Sequence, residues 1–362
     1  MRSRLSAKSD DVARHLARVF HARMAQRVLI YGAGVIGSVY AVRLAKAGFD
    51  VTVLARGERL RAIRAGGLRI RHVFLREEER AEVSVVESLD PAQSWHAAVV
   101  AVRADQVPQA LGEVSRSRET QAIAVIGNNV VGHAEQAALV GRHRYVLGFG
   151  AFAGYRDSEG VSYLDGRTLE KPGRRGKTTL GVLAPEAQPA LERVGELLRR
   201  AGLPSTKSDD MVAWLQCHGA LVFPLAGAVY ACGGGQERFC RTRDALVLGL
   251  RACRELLGAL SALRVRIEPR ALGVMRWLPE PLFVRRLRHD LGGEAARVAV
   301  FGHANAQGGH QEMALGANAL DGVVRKANRP LPHWDRLLPA FAARPGVAAL
   351  EDGSRNLSLH LW

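Results

Sequence analysis

The sequence is poor in lysine. Lys8, Lys46, Lys171, Lys177, Lys207 and Lys326 are the only lysines among 51 basic residues, so arginine carries nearly all of the net charge of +16. These arginines are scattered over the whole length and no recognition motif accompanies them, which argues against a nucleic-acid footprint. The skew is the mark of GC-rich coding. Cysteine is scarce too: Cys217, Cys232, Cys240 and Cys253 show no CxxC spacing. That favours reduced thiols in a cytoplasmic protein over a disulfide framework. The first 24 residues are polar and basic, include Asp10 and Asp11, and lack an apolar signal core. Residues 1–24 are read as a basic extension, disordered or artefactual, with Met24 as an alternative start. Only one long apolar run occurs, at 211–232, and Gln216, His218 and Pro224 interrupt it. A buried core helix fits it better than a membrane span.

With 48% apolar and 24% charged residues over 362 positions, the chain is globular and long enough for two cores. Five short continuous apolar runs follow: RVLIY (27–31), VTVL (51–54), AAVVAV (97–102), AIAVI (122–126) and YVLGF (145–149). Runs that do not alternate are expected of strands buried on both faces, hence of a parallel sheet. Between the first two, Ile36, Val39, Tyr40 and Leu44 recur at helical spacing until Gly48, so strand, helix and strand make one βαβ unit. GVSYLD (160–165) and KTTLGVL (177–183) are expected as antiparallel strands closing this sheet. Residues 185–204 read as an amphipathic helix. From Ser208 only helical patterns appear: 208–230, 241–265, 268–288, about 294–329 with a break, and 332–343. The fold class is therefore α/β, a parallel-sheet domain at 25–205 followed by an all-α domain at 206–362.

Gly32-Ala33-Gly34-Val35-Ile36-Gly37 fits GxGxxG between a strand and a helix. In such a turn the first glycine makes the tight bend, the second admits the pyrophosphate and the third allows close helix–strand packing. The helix N-terminus then offers N–H groups to the phosphates. An acid usually ends the second strand and holds the ribose hydroxyls of NAD. Here the strand ends in Ala55-Arg56-Gly57, with Arg59 and Arg61 close behind. A guanidinium at that position suits the 2′-phosphate of NADP, so NADP is the expected cofactor.

Placed together, these residues resemble the ketopantoate reductase (2-dehydropantoate 2-reductase) family over nearly all the chain after Met24. The family pattern GAGxIGxxxxxxLxxAGxxVxxxxR is matched by residues 32–56, its VKAxQ element by VRADQ (102–106), and its NG turn by Asn128-Asn129. The resemblance implies an NADPH-binding Rossmann domain, a helical substrate domain and hydride transfer to a 2-keto acid in the cleft between them. It places Arg103 where the family lysine lies near cofactor and substrate, and Asn128 where an asparagine meets the nicotinamide ribose. The second half departs. Trp214 matches a family tryptophan, but the lysine that binds and protonates substrate is replaced by Gln216, and two asparagines by about Ala220 and by Phe223. Glu312, with Pro332 at the right separation, is retained.

Keto-acid reduction needs a cation for the carboxylate and an acid for the forming alkoxide. Glutamine is neutral, and His218 is the nearest titratable replacement, although a two-residue step turns it about 200° around a helix. The expectation is an NADPH-dependent reductase of a small 2-keto acid or related carbonyl or imine. Gln216, His218 and Glu312 are its catalytic candidates, with His303 nearby and no metal at His303, His310 and Glu312. True ketopantoate reduction with a rearranged proton donor, and a non-catalytic NADP(H)-binding protein, stay open. The expected partner is a small-molecule substrate, not nucleic acid or membrane, and a homodimer stays open.

Overall fold

The computed structural model describes residues 26–361 apart from 158–159, 169–170, 172, 174, 307 and 343–348. The basic extension at 1–24 therefore lies outside the described residues. Twelve strands form two sheets: β1 (Arg27–Tyr31), β2 (Asp50–Leu54), β3 (Leu68–His72), β4 (Glu78–Ala81), β5 (Ser84–Val86), β6 (Ala97–Val100), β7 (Ile123–Ile126), β8 (Tyr145–Phe149), β9 (Ala153–Arg156), β10 (Val161–Leu164), β11 (Thr178–Gly181) and β12 (Ser205–Lys207). The larger sheet runs β12-β11-β8-β7-β6-β1-β2-β5. From β5 to β8 all pairs are parallel, and their order is that of a dinucleotide-binding sheet, with the chain reversing direction between β1 and β6. Ligands of such sheets bind outside the carboxyl ends of the strands at this reversal.

β11 joins the sheet antiparallel to β8, as its sequence suggests, and β12 extends the edge parallel to β11. β10 does not. It pairs parallel to β3 and antiparallel to β9 in a separate four-stranded sheet, β4-β3-β10-β9. The expectation for GVSYLD failed because its partner LRIRH, with Leu68, Ile70 and His72 buried and Arg69 outward, lies about ninety residues earlier in the chain.

Helices α1 (Val35–Lys46), α2 (Gly57–Gly66), α3 (Val107–Ser115), α4 (His133–Val140) and α5 (Gln188–Arg200) belong to the sheet half. After β12 come α6 (Met211–Ala231), α7 (Arg243–Ala262), α8 (Glu280–Gly292) and α9 (Gly309–Val324), with short turns of helix between them. Their apolar faces share one core that includes Phe223, Phe239, Phe301 and Trp334. Among the described residues α6 alone has the length and hydropathy to cross a membrane, and it is mostly buried in this core. Cys217, Cys232 and Cys253 are buried free thiols.

Candidate functional site

The glycine turn has the geometry its spacing predicts. Gly32 has φ +106°, and a Cβ there would stand 2.6 Å from the carbonyl oxygen of Ala101 after β6. A Cβ on Gly37 would overlap the Gly32 carbonyl, so α1 packs under the turn only because that position is glycine. A Cβ on Gly34 would meet nothing within 4 Å. α1 begins behind Gly34 with no side-chain cap and no acid in its first turn, so its N-terminus keeps its partial positive charge. Ala33 is buried, and Val35 and Ile36 are half-buried on the adjoining core. The Ala33 carbonyl accepts from Arg59 Nε at 3.1 Å, and Arg59 Nη2 also donates to Ser38 Oγ at 3.1 Å. Burial, reinforced by Arg156, lowers the Arg59 pKa to about 10. Arg59 thus braces the turn, while Arg61 is exposed. The open face at Gly34 and the uncapped helix end fit the pyrophosphate of a dinucleotide.

Arg56 caps the start of α2 and is half-exposed. It is not free. Its Nη2 donates to both carboxylate oxygens of Glu113, at 2.8 and 2.9 Å, and to the Tyr31 hydroxyl at 3.2 Å. Tyr31 in turn donates to Glu113 Oε2 at 2.9 Å. Burial, then the Glu113 carboxylate, push the Tyr31 hydroxyl up to about 12. Glu113 is half-buried, which works to raise its pKa, but hydrogen bonds from Tyr31, Arg56 and Gln109 outweigh this and hold it below the usual carboxylate range. Neither Tyr31 nor Glu113 carries a sequence signal; Glu113 stands 57 residues beyond Arg56.

At the other side of the turn, Arg103 follows β6 and clasps Asp105 through Nε at 3.2 Å and Nη2 at 3.0 Å. Its Nη1 approaches Gly308, where a Cβ would come within 3.3 Å. Glu312, one turn into α9, lies close enough to strengthen the hold on the Arg103 proton, although the Asp105 hydrogen bond contributes more. Glu312 Oε2 is 3.8 Å from Nε2 of His303, a nitrogen that is buried and has no hydrogen-bond partner among the described residues. The chain reaches this arrangement through a π-helical turn at Arg297–Gly302 and a break before Gly309, which passes directly beneath the His303 carbonyl. Such π turns recur at functional sites. His310 points instead to the ring of Tyr230, 4.5 Å between centroids. Among the described residues no group of three side chains is arranged to hold a metal.

The remaining candidates divide. Asn128 is half-buried at the end of β7 and makes no side-chain hydrogen bond among the described residues, whereas Asn129 is buried and donates to Gln136 at 2.9 Å. Gln216 faces the same loop, its Nε2 reaching the Val130 carbonyl at 3.5 Å. His218 turns away, stacked on Trp214 at 5.1 Å and packed on Phe149 at 4.2 Å. Burial between these rings lowers its pKa to about 4, so it carries no proton to give at neutral pH. Phe223 is fully buried and presses on α9 where Gly316 stands: a Cβ on Gly316 would overlap the ring. An apolar ring thus fills the space between α6 and α9.

Residues 28–175 match the model of the family described as ketopantoate reductase PanE/ApbA. Over these residues, less than half of the chain, the sequence is similar to that family. A 2-dehydropantoate 2-reductase of Pyrococcus horikoshii is 26% identical over 195 residues, 52% of this chain and 58% of that one. A second, from Mesorhizobium japonicum, is 34% identical over 90 residues, 25% and 27% of the two chains. The matched stretch thus spans little more than half of the first relative and about a quarter of the second. Solved structures share the fold over more of the chain. The ternary structure of D-mandelate dehydrogenase with NADH and anilino(oxo)acetate superposes with a TM-score of 0.69 at 16% identity, covering 87% of this chain and 97% of that one. The 2-dehydropantoate 2-reductase of Geobacter metallireducens does so with 0.67 at 17%, covering 87% and 99%. The shared fold therefore extends into the helical half, beyond the residues that the family model matches.

Proposed function

We infer that the protein is an NADPH-dependent oxidoreductase that reduces a small 2-keto acid, or a related carbonyl or imine, between the sheet and helical halves. The observation that carries this reading is the meeting of Arg103, beside the glycine turn, with Glu312 and His303 of the helical half. Gly32, Gly34 and Gly37 would hold the pyrophosphate, Arg56 the 2′-phosphate and Asn128 the nicotinamide ribose. Bound there, the nicotinamide supplies the hydride.

The chain's own residues supply the rest. Arg103 keeps its Nη1 edge toward the helical half while Asp105 fixes the opposite edge, so a substrate carboxylate can be held without reorienting the guanidinium. Glu312 stands 3.8 Å from the buried His303 Nε2, so its carboxyl group can meet a substrate oxygen while the imidazole backs it from the interior. As the carbonyl carbon gains the hydride, its oxygen takes a proton from this pair. Gln216 can hydrogen-bond but not protonate. Phe223 stands where the family resemblance places an asparagine, and it is buried in the helical core, which supports a substrate other than ketopantoate.

The test is NADPH oxidation by the full chain across 2-keto acids, cyclic imines and keto acid–amine mixtures. Turnover that falls in Glu312→Gln while NADPH still binds is the expected result. The burial of Phe223 and the neutrality of Gln216 favour one rival, a nucleotide-binding protein without chemistry. Tight NADPH binding with no turnover on any member of the panel would support that rival.

A further inference from the structure

An arginine replaces the acid that ordinarily ends the second strand, yet an acid is present in space. Glu113, from α3, delivers its carboxylate to the end of β2 and accepts four hydrogen bonds there: two from Arg56 Nη2, one from Tyr31 at 2.9 Å and one from Gln109 at 3.1 Å. Tyr31 closes the triangle by also accepting from Arg56, whose guanidinium lies 5.9 Å from the Tyr31 ring centroid. The neighbouring Arg59 has two of its three nitrogens engaged by Ala33 and Ser38, which turns it toward the glycine turn. With Nη2 held by Glu113 and Tyr31, a 2′-phosphate meets Arg56 only through Nε and Nη1, and there it stands beside the Glu113 carboxylate, whose negative charge opposes it. A ribose with a free 2′-hydroxyl meets no such penalty and can donate to Glu113 directly.

We propose that Glu113 sets the cofactor preference of this pocket, holding Arg56 in the absence of a 2′-phosphate, accepting a ribose hydroxyl when the cofactor lacks one, and so admitting NADH as well as NADPH. This rests on the dinucleotide reading given above. Arg56 is then not a committed NADP residue but one arm of a switchable pair. Tyr31 is a positioning residue, since it fixes the carboxylate from the side opposite Gln109.

The experiment is calorimetric titration of NADPH and NADH into the full chain, for the parent protein and for Glu113→Gln, Glu113→Asp and Arg56→Ala, with thermal melts to confirm folding. The parent is expected to bind both nucleotides with affinities within about tenfold. Glu113→Gln should tighten NADPH by about fivefold, the scale of one half-exposed charge contact, and weaken NADH. Glu113→Asp, which keeps the charge, should stay on the parent's side of that change, and Arg56→Ala should lose NADPH affinity while keeping NADH. A ratio of the two affinities unmoved by Glu113→Gln, or moved toward NADH, overturns the assignment and leaves the dinucleotide reading standing. If no variant binds either nucleotide, that reading falls and takes the assignment with it.

Discussion

The rim around Arg56 and the cluster around Glu312 are two polar constellations on one chain, and they are built in opposite ways. At the rim, the partly exposed Arg56 and Glu113 and the buried Tyr31 are bonded to one another, so the site is complete as a small charge network before anything binds. In the cluster, His303 Nε2 is buried without a hydrogen-bond partner among the described residues, and Glu312 stops 3.8 Å short of it. A buried donor or acceptor left unbonded costs about 1–3 kcal/mol, a cost a ligand can remove. The first arrangement can exchange partners, and the second waits for one.

The glycine turn lies between them, and breaking it should have the largest effect. Gly37→Ala drives a methyl group into the Gly32 carbonyl, and overpacking of this kind costs about 3 kcal/mol. Denaturant titration should show that loss, together with NADPH affinity reduced at least about 100-fold, because pyrophosphate and helix end are displaced together. Unchanged NADPH affinity would mean that this turn is a packing device only.

Next in size is the cluster itself. His303→Gln and Glu312→Gln are each expected to lower turnover by about 10²–10⁴-fold, the range for removing a general acid, with NADPH affinity held within about twofold. His218→Phe should cost less than about tenfold, because that ring is shut between Trp214 and Phe149. If His218→Phe proved the more damaging, the proton would have to come from the other face of α6.

A third change tests how the helical half has been repacked. Gly316→Ala should destabilise by about 2 kcal/mol through its overlap with Phe223, and pairing it with Phe223→Leu should recover part of the loss. Additive losses in the double variant would show that α6 and α9 do not share that space.

Local pattern was enough to read the sheet half where neighbours in sequence are neighbours in space. The run from β1 through the glycine turn to β2 is a single unit, and its spacing alone fixes which glycine bends and which is packed. The four-stranded sheet escaped because β3 and β10 meet across about ninety intervening residues and neither segment signals the other. Glu113 escaped for the same reason: α3 shows only an exposed polar position there, and its link to Arg56 exists only once β6 and α3 are folded against β1 and β2. In the helical half, Glu312 was legible through resemblance. His303 was noticed as a histidine, but its pairing depends on a π turn and a broken helix that composition does not announce. His218 is the converse case, a candidate whose turn of about 200° around the helix was already expected. Nearness in sequence to Gln216 made it a candidate, and the helix places it against aromatic rings.

That placement gives the smallest of the predicted effects and a means of separating His218 from the cluster. Its folded pKa of about 4 lies below the ordinary histidine value, so the unfolded chain binds the proton more readily. Stability from this group is therefore complete above about pH 6.5 and is lost as the pH falls toward about 4, below which both states are protonated. His133 behaves alike, since burial lowers it to about 4 as well. The two should together steepen acid destabilisation, at about 2 kcal/mol for each. Replacing His218 by phenylalanine keeps the aromatic stack and removes one of the two contributions. Denaturant titrations of parent and His218→Phe at about pH 7, 5.5 and 4 should converge or cross as the pH falls, the parent losing about 2 kcal/mol more than the variant. Parallel pH profiles would show that solvent reaches the ring and leaves it free to titrate, which would return His218 to the candidates for proton transfer.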